Sequence, residues 1–199
     1  MPWLIVAAEE REFSGIRKRC GERFALVANG PGHRLVTEAL RERRTVDGII
    51  STGFCGALDP ALRVGDIVVA GEGVRSSVRF TRGEVLSADR VAVTAAEKRA
   101  LRERTGAAAV EMEAAAVEVK AREWGVPYRC VKVVSDVASE DMPLDFNLYR
   151  DAAGRFSLSR IALAAVMHPF TVMPGLMRLD RNCKIAAERL GEFFADCEF

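Results

Sequence analysis

Short apolar runs alternate with helical patterns along the whole chain. Residues 3–8, 23–28, 46–52, 66–70, 107–110 and 128–135 read as strands, most of them rich in Val and Ile and bounded by turn residues. Residues 74–80 are a further strand candidate. Helical spacing appears over about 10–20, 34–44, 94–105, 112–124, 158–167 and 180–194. The stretch "NGPGH" at 29–33 reads as a turn. This alternation predicts an α/β fold: one domain over 1–199, with a mixed, mostly parallel central sheet flanked by helices. Residues 156–199 form its helical, partly apolar C-terminal segment.

In such sheets ligands gather at the carboxyl ends of the strands. That rule turns strand-end residues into candidates. They are Glu9, Glu10 and Glu12 after the first strand, 29–33 after the second, 53–56 after the third, and Ser135 and Asp136 after the last.

Composition narrows the partner. Net charge is +1 with both signs interspersed, and aromatic content is 7%. No basic stripe or base-stacking platform for nucleic acid stands out, so a small molecule or another protein is expected. Five cysteines, odd in number and widely spaced, fit a reduced cytoplasmic protein better than a disulfide scaffold. The opening "MPWLIVAAEEREF" is too short in its apolar run for a signal peptide or a membrane span. Two histidines and no metal motif, P-loop or dinucleotide fingerprint imply no metal or organic cofactor. The apolar stretch 156–178, broken by Arg160, His168, Pro169 and Pro174, reads as a core or dimer-interface helix followed by a loop. A hydrophobic lid or a membrane-surface patch is the alternative.

Three constellations carry chemistry. In "STGFCGALDP", Gly53 and Gly56 permit a tight strand exit and let a ligand approach the backbone, or form an ordinary turn. Cys55 sits in a G-x-C-G resembling a nucleophile elbow, but Ala57 replaces the closing glycine and no histidine is placed to act as base. In "VEMEAAAV", Glu111 and Glu113 open a helix, where its dipole favours acids by about 0.3–1 kcal/mol each. A carboxylate beside small alanines can also chelate two adjacent ribose hydroxyls, with Met112 as an adaptable apolar contact. Asp136, at the tip of a buried strand, is either a cap or a general acid.

The order of an acidic first loop, "NGPG", "STGFCGALDPALRVGDIVV", "VEMEAAAV" and, about twenty residues later, "VVSD" resembles the nucleoside phosphorylase/nucleosidase superfamily. That superfamily includes purine nucleoside and uridine phosphorylases, methylthioadenosine/S-adenosylhomocysteine nucleosidase and futalosine hydrolase. The resemblance spans residues 3–137. It implies that Asp136 protonates N7 of a purine, steadied by Ser135. Glu113 grips the ribose hydroxyls and Met112 packs on the sugar. Glu12 positions the attacking water, with Glu10 as the alternative if the register of that loop differs. Gly53, Phe54, Gly56 and Pro31 line the pocket, and Asp89 and Val91 lie near the base. Homodimers are usual in the superfamily.

Departures from the family pattern bear on the nucleophile. Phosphorylases typically read R-V-G-S-C-G-A where this chain reads "STGFCGA". Ser51 stands for the arginine and Phe54 for the serine, so two phosphate contacts are missing. Water is therefore the expected nucleophile, and phosphate the alternative, with Arg34 or Arg75 as substitute anion ligands. Val91 replaces an aromatic that stacks on the base. A non-catalytic nucleoside-binding protein is the rival from another class. The segment 83–113 and the apolar tail resemble the branch of hopanoid-associated phosphorylases, linked to removing adenine from adenosylhopane. That implies a purine nucleoside with a large apolar 5′ group.

Overall fold

The computed structural model describes residues 1–152 and 154–199. Among the described residues nine strands form one sheet with helices on both faces. The elements run β1 (Leu4–Ala7), a 3-10 turn (Glu10–Phe13), α1 (Ser14–Cys20), β2 (Ala25–Ala28), α2 (His33–Ala39), β3 (Ile49–Ser51), β4 (Phe54–Ala57), β5 (Ile67–Ala70), β6 (Thr81–Arg82) and β7 (Val85–Ser87). Then come α3 (Ala95–Thr105), β8 (Ala109–Glu111), α4 (Ala114–Trp124), β9 (Tyr128–Asp136), a second 3-10 turn (Phe146–Tyr149), α5 (Leu158–Met167) and α6 (Val172–Asp196).

The main strand order is β2-β1-β3-β9-β4-β8-β7, with β5 pairing β9 and β6. Of the described strand pairs only β4–β8 and β5–β9 are antiparallel, so the expected mixed, mostly parallel sheet is what forms. Strand alternation divides the core. Ile5, Ile50, Val131 and Val133 face Phe13, Ile16, Leu190, Phe193 and Phe194 of the α1–α6 side. Leu4, Val6 and Ile49 face Val36, Leu40, Val117 and Trp124 of the α2–α4 side.

Three local expectations are corrected. Residues 74–80 form no regular strand, because Asp196 holds them by accepting from the Ser76 hydroxyl at 2.7 Å and the Ser77 amide at 2.6 Å. Residues 53–56, read as a strand exit or an ordinary turn, run instead into a strand, Phe54–Ala57, paired with β9 and β8. The apolar stretch does not end in a loop. After a short turn the chain enters α6 at Val172, and Pro174 is tolerated because it stands in the first helical turn, where no backbone donor is needed.

Where β4 meets β9 the register slips. Cys55 opposes Val134, but Gly56 opposes Asp136. The skipped residue is Ser135. This bulge sits at the carboxyl end of the central strand and re-aims its last two side chains.

Candidate active site

A cavity of about 370 Å³ opens at that end of the sheet. Of the residues singled out in the sequence, Glu12, Pro31, Phe54, Gly56, Val91, Met112, Glu113, Ser135 and Asp136 line it. Gly53 lies behind Glu12, and Asp89 is exposed outside the lining, with only its carbonyl held, by Arg150. Glu10 is exposed and paired with Arg17 at 2.9 Å, so the first loop presents Glu12 instead.

Glu12 is buried, and two backbone amides hold its carboxylate. Phe54 N–H donates to Oε1 and Glu9 N–H to Oε2, each at 2.6 Å. Burial raises its proton affinity, and these two donors oppose that rise. Gly53 makes the approach feasible. Its φ is +109°, and a Cβ there would stand 2.5 Å from Glu12 Oε1.

The two glutamates of "VEME" divide their work. Glu111 caps α4, accepting from the amides of Glu113 and Ala114 at 2.9 Å each. It also pairs with the buried Lys132 ammonium at 2.8 Å, and that ammonium donates to the Thr52 carbonyl at 2.7 Å. Burial pushes Glu111 upward, but Lys132 and the donors around it outweigh burial and leave it below the usual carboxylate range. Glu113 gets one backbone donor, Gly32 N–H at 2.8 Å, and faces the cavity. Burial raises it to about 8, against the pull of Lys132 and with the push of Glu111. Two neighbouring acids are thus driven apart, one structural and one available to a ligand.

Asp136 is held on both oxygens. Ser135 Oγ donates to Oδ1 at 2.8 Å, and Lys98 Nζ pairs with Oδ2 at 2.7 Å. Lys98 is fully buried and also donates to the carbonyls of Val137 and Glu140, at 2.8 and 3.0 Å, which uses all three of its protons. It arrives on the first turn of α3. Thr94 and Glu97 start that helix with a capping box, Glu97 N–H donating to Thr94 Oγ1 and Thr94 N–H to Glu97, both at 3.1 Å. Neither Lys98 nor Lys132 was found by sequence reasoning, since a lysine in a charged helix or a lone one in a strand carries no signal of its partner.

Cys55 lines the cavity in a setting that disfavours the thiolate. It is 3% exposed, and burial pushes its thiol well above the ordinary range. Arg34 is exposed outside the lining, and Arg75 is exposed and paired with Glu198. The arginines that do line the cavity are matched by acids, Arg11 with Glu9 at 2.6 Å and Arg90 with Glu97 at 2.7 Å. The far wall comes largely from the apolar stretch 156–178, for which a hydrophobic lid is the alternative reading in the sequence; Phe146 and Leu179 lie outside that stretch. The wall is apolar, made by Phe146 and Phe156 packed edge to face at 6.0 Å, Leu158 and Ile161 of α5, and Leu176 and Leu179 of α6.

A strand-tip acid, a buried carboxylate held by backbone amides and a third carboxylate at a helix start thus gather at the carboxyl end of a mixed α/β sheet. A family model for the phosphorylase superfamily matches residues 7–79 and 71–166, and the chain belongs to that superfamily. Among curated relatives it is 29% identical to the 5′-methylthioadenosine/S-adenosylhomocysteine nucleosidase of Geobacillus thermodenitrificans, over 77% of this chain and 91% of the relative. With that of Anoxybacillus flavithermus it shares 28%, over 72% and 80%. Among solved structures it is similar to the Helicobacter pylori nucleosidase of the same name, complexed with a substituted pyrrolidin-3-ol. The TM-score is 0.69 at 16% identity, covering 98% of this chain and 96% of that one. The futalosine hydrolase of H. pylori gives 0.67 at 16%, covering 98% and 95%. At such identity these two are likenesses of fold.

Proposed function

We propose that the protein hydrolyses the N-glycosidic bond of a purine nucleoside. Asp136 gives a proton to N7 of the base. The bond from C1′ to the base nitrogen breaks, the electron pair leaves with the base, and positive charge develops on the sugar ring. Water held by Glu12 attacks C1′ and loses a proton to that carboxylate. Free base and free sugar result. Glu113 accepts hydrogen bonds from the ribose hydroxyls, and Met112 packs against the ring.

The observation that carries this reading is that Glu12, Glu113 and Asp136 meet in one cavity whose lining arginines are both already paired with acids. A phosphate dianion entering there finds no unpaired guanidinium. Water needs only the Glu12 carboxylate. The curated relatives, named as nucleosidases, support the same choice. Phe146 and Phe156 offer the aromatic contact that Val91 does not, and the apolar far wall suits a nucleoside with a large apolar 5′ group, such as adenosylhopane. A cytoplasmic homodimer completes the proposal, and light scattering after gel filtration checks the assembly. The test of the chemistry is base release from purine nucleosides with and without phosphate. Release without phosphate supports hydrolysis, and release only with phosphate assigns a phosphorylase.

A further inference from the structure

The surface beside the cavity's apolar wall differs from the rest of the molecule. Seven of the ten large hydrophobic side chains exposed among the described residues fall between positions 148 and 177. Phe170 is 92% exposed and Leu158 77%, while Leu163, Val166, Met167 and Met177 follow at 62–67%. In α5 only Ala165 is buried. Clustered exposure of this kind marks an interaction surface.

Its charge is one-sided. Residues 148–179 contain one acid, Asp151, where the chain's 28 acids in 199 residues would put about four or five. The same stretch carries Arg155, Arg160 and Arg178. Arg178 meets Glu140 at 3.7 Å. Arg155 and Arg160 are exposed and enter no ion pair among the described residues.

We propose that this face, α5 with the turn that leads into α6, seats on the surface of an anionic lipid bilayer. No helix among the described residues is long and apolar enough to cross a membrane. A helix of 10 residues with apolar side chains and flanking arginines lies in the interface instead. The charge argues against a second copy as the occupant. A twofold contact sets the same patch against itself, bringing Arg155 and Arg160 of both copies together with Asp151 as the one acid beside them, its carboxylate already accepting from the Arg155 amide at 2.9 Å. Anionic headgroups supply partners for those arginines. Leu158 and Ile161 of α5 also line the cavity, so the seated face adjoins the apolar wall. This link to the cavity rests on the nucleosidase reading: a nucleoside with an apolar 5′ group is then drawn from the bilayer that holds that group.

The test is co-sedimentation of the full chain with vesicles. One set is phosphatidylcholine alone, and the other an equal mixture with phosphatidylglycerol. Wild type is expected to sediment with the mixed vesicles. The variant Leu163→Ser/Met167→Ser/Phe170→Ser, altered only at exposed positions outside the cavity lining, should bind them at least about tenfold more weakly. Arg155→Gln and Arg160→Gln should each cost about fivefold. Hydrolysis of a soluble nucleoside should stay within about twofold of wild type in all three. No sedimentation of wild type with mixed vesicles overturns the proposal. So does a wild-type dimer in solution that the triple variant converts to monomer, which would make the face a subunit interface. Vesicle binding by a protein that releases no base supports the docking and sinks the nucleosidase reading. Base release without vesicle binding does the reverse.

Discussion

Lys98 Nζ lies 2.7 Å from Asp136 Oδ2, with the lysine fully buried and the aspartate side chain 13% exposed. At rest the acid proposed to protonate the base is therefore half of an ion pair; in the proposed reaction it takes up a proton as substrate binds and passes that proton to N7. The pair, braced by Ser135 and two main-chain carbonyls, is the unit that meets the leaving group.

Lys98→Met should destabilise the fold by about 3 kcal/mol, because removing one partner of a buried pair strands the other. The melting temperature should drop by roughly 6–12 °C for a chain of this size. Lys98→Met/Asp136→Asn should melt higher than Lys98→Met alone, since the stranded charge is gone. Thermal melts of the four proteins in this cycle check it. A double variant less stable than both single ones would show that the pair is not the coupling that matters.

Gly53→Ala should cost activity through Glu12. The new methyl would stand 2.5 Å from Oε1 in a backbone at φ +109°. Displacing the carboxylate by about 1 Å should lower kcat roughly 100-fold, with about 1–3 kcal/mol of backbone strain. Gly71→Ala is the control, at φ +78° with nothing within 4 Å. It should carry the strain and keep kcat.

Glu113 should give stability a pH slope. Its folded-state value is raised to about 8 by burial. From the ordinary carboxylate range up to about pH 8 the unfolded chain releases this proton while the folded chain keeps it. The folded state therefore binds more protons, and this group makes stability fall as pH rises through that window. Urea titrations from pH 5 to 8 should show a shallower fall for Glu113→Gln than for wild type. An identical slope would mean that Glu113 ionises freely in the fold.

Thiol alkylation should leave activity intact. Cys20 is half-buried, and Cys55, Cys130, Cys183 and Cys197 are buried. Iodoacetamide at neutral pH should label Cys20 first, and mass spectrometry of protein that retains full base release should show Cys55 unmodified. Inactivation that tracks with Cys55 labelling would restore the cysteine as a catalytic candidate.

The sheet was legible where β-branched runs met turn residues, as in β1, β3, β5 and β9. It was not legible in β4, whose "FCGA" holds a glycine and reads as a turn; pairing with β9 and β8 makes it a strand. Asp136, Glu12 and Glu113 were reachable because strand-end acids and motif order need no tertiary information. Lys98 and Lys132 were not, since what identifies each is the carboxylate it meets, and that is set by how α3 and β9 pack. Glu111 and Glu113 read alike in sequence; Lys132 and the amides of Glu113 and Ala114, all of which meet Glu111, separate the cap from the ligand-facing acid. The apolar wall came from Phe146, Phe156, α5 and α6, segments whose sequence showed apolar character but not the cavity they close.

The most direct measurement is chromatographic product analysis after incubating the purified protein with adenosine, inosine, methylthioadenosine and an adenosine bearing a long apolar 5′ chain, each with and without phosphate. We expect free base and free sugar without phosphate, with release reduced roughly 100- to 10,000-fold in Asp136→Asn. Undiminished release by folded Asp136→Asn, or release that requires phosphate and yields a sugar phosphate, would contradict hydrolysis driven by this strand-tip acid.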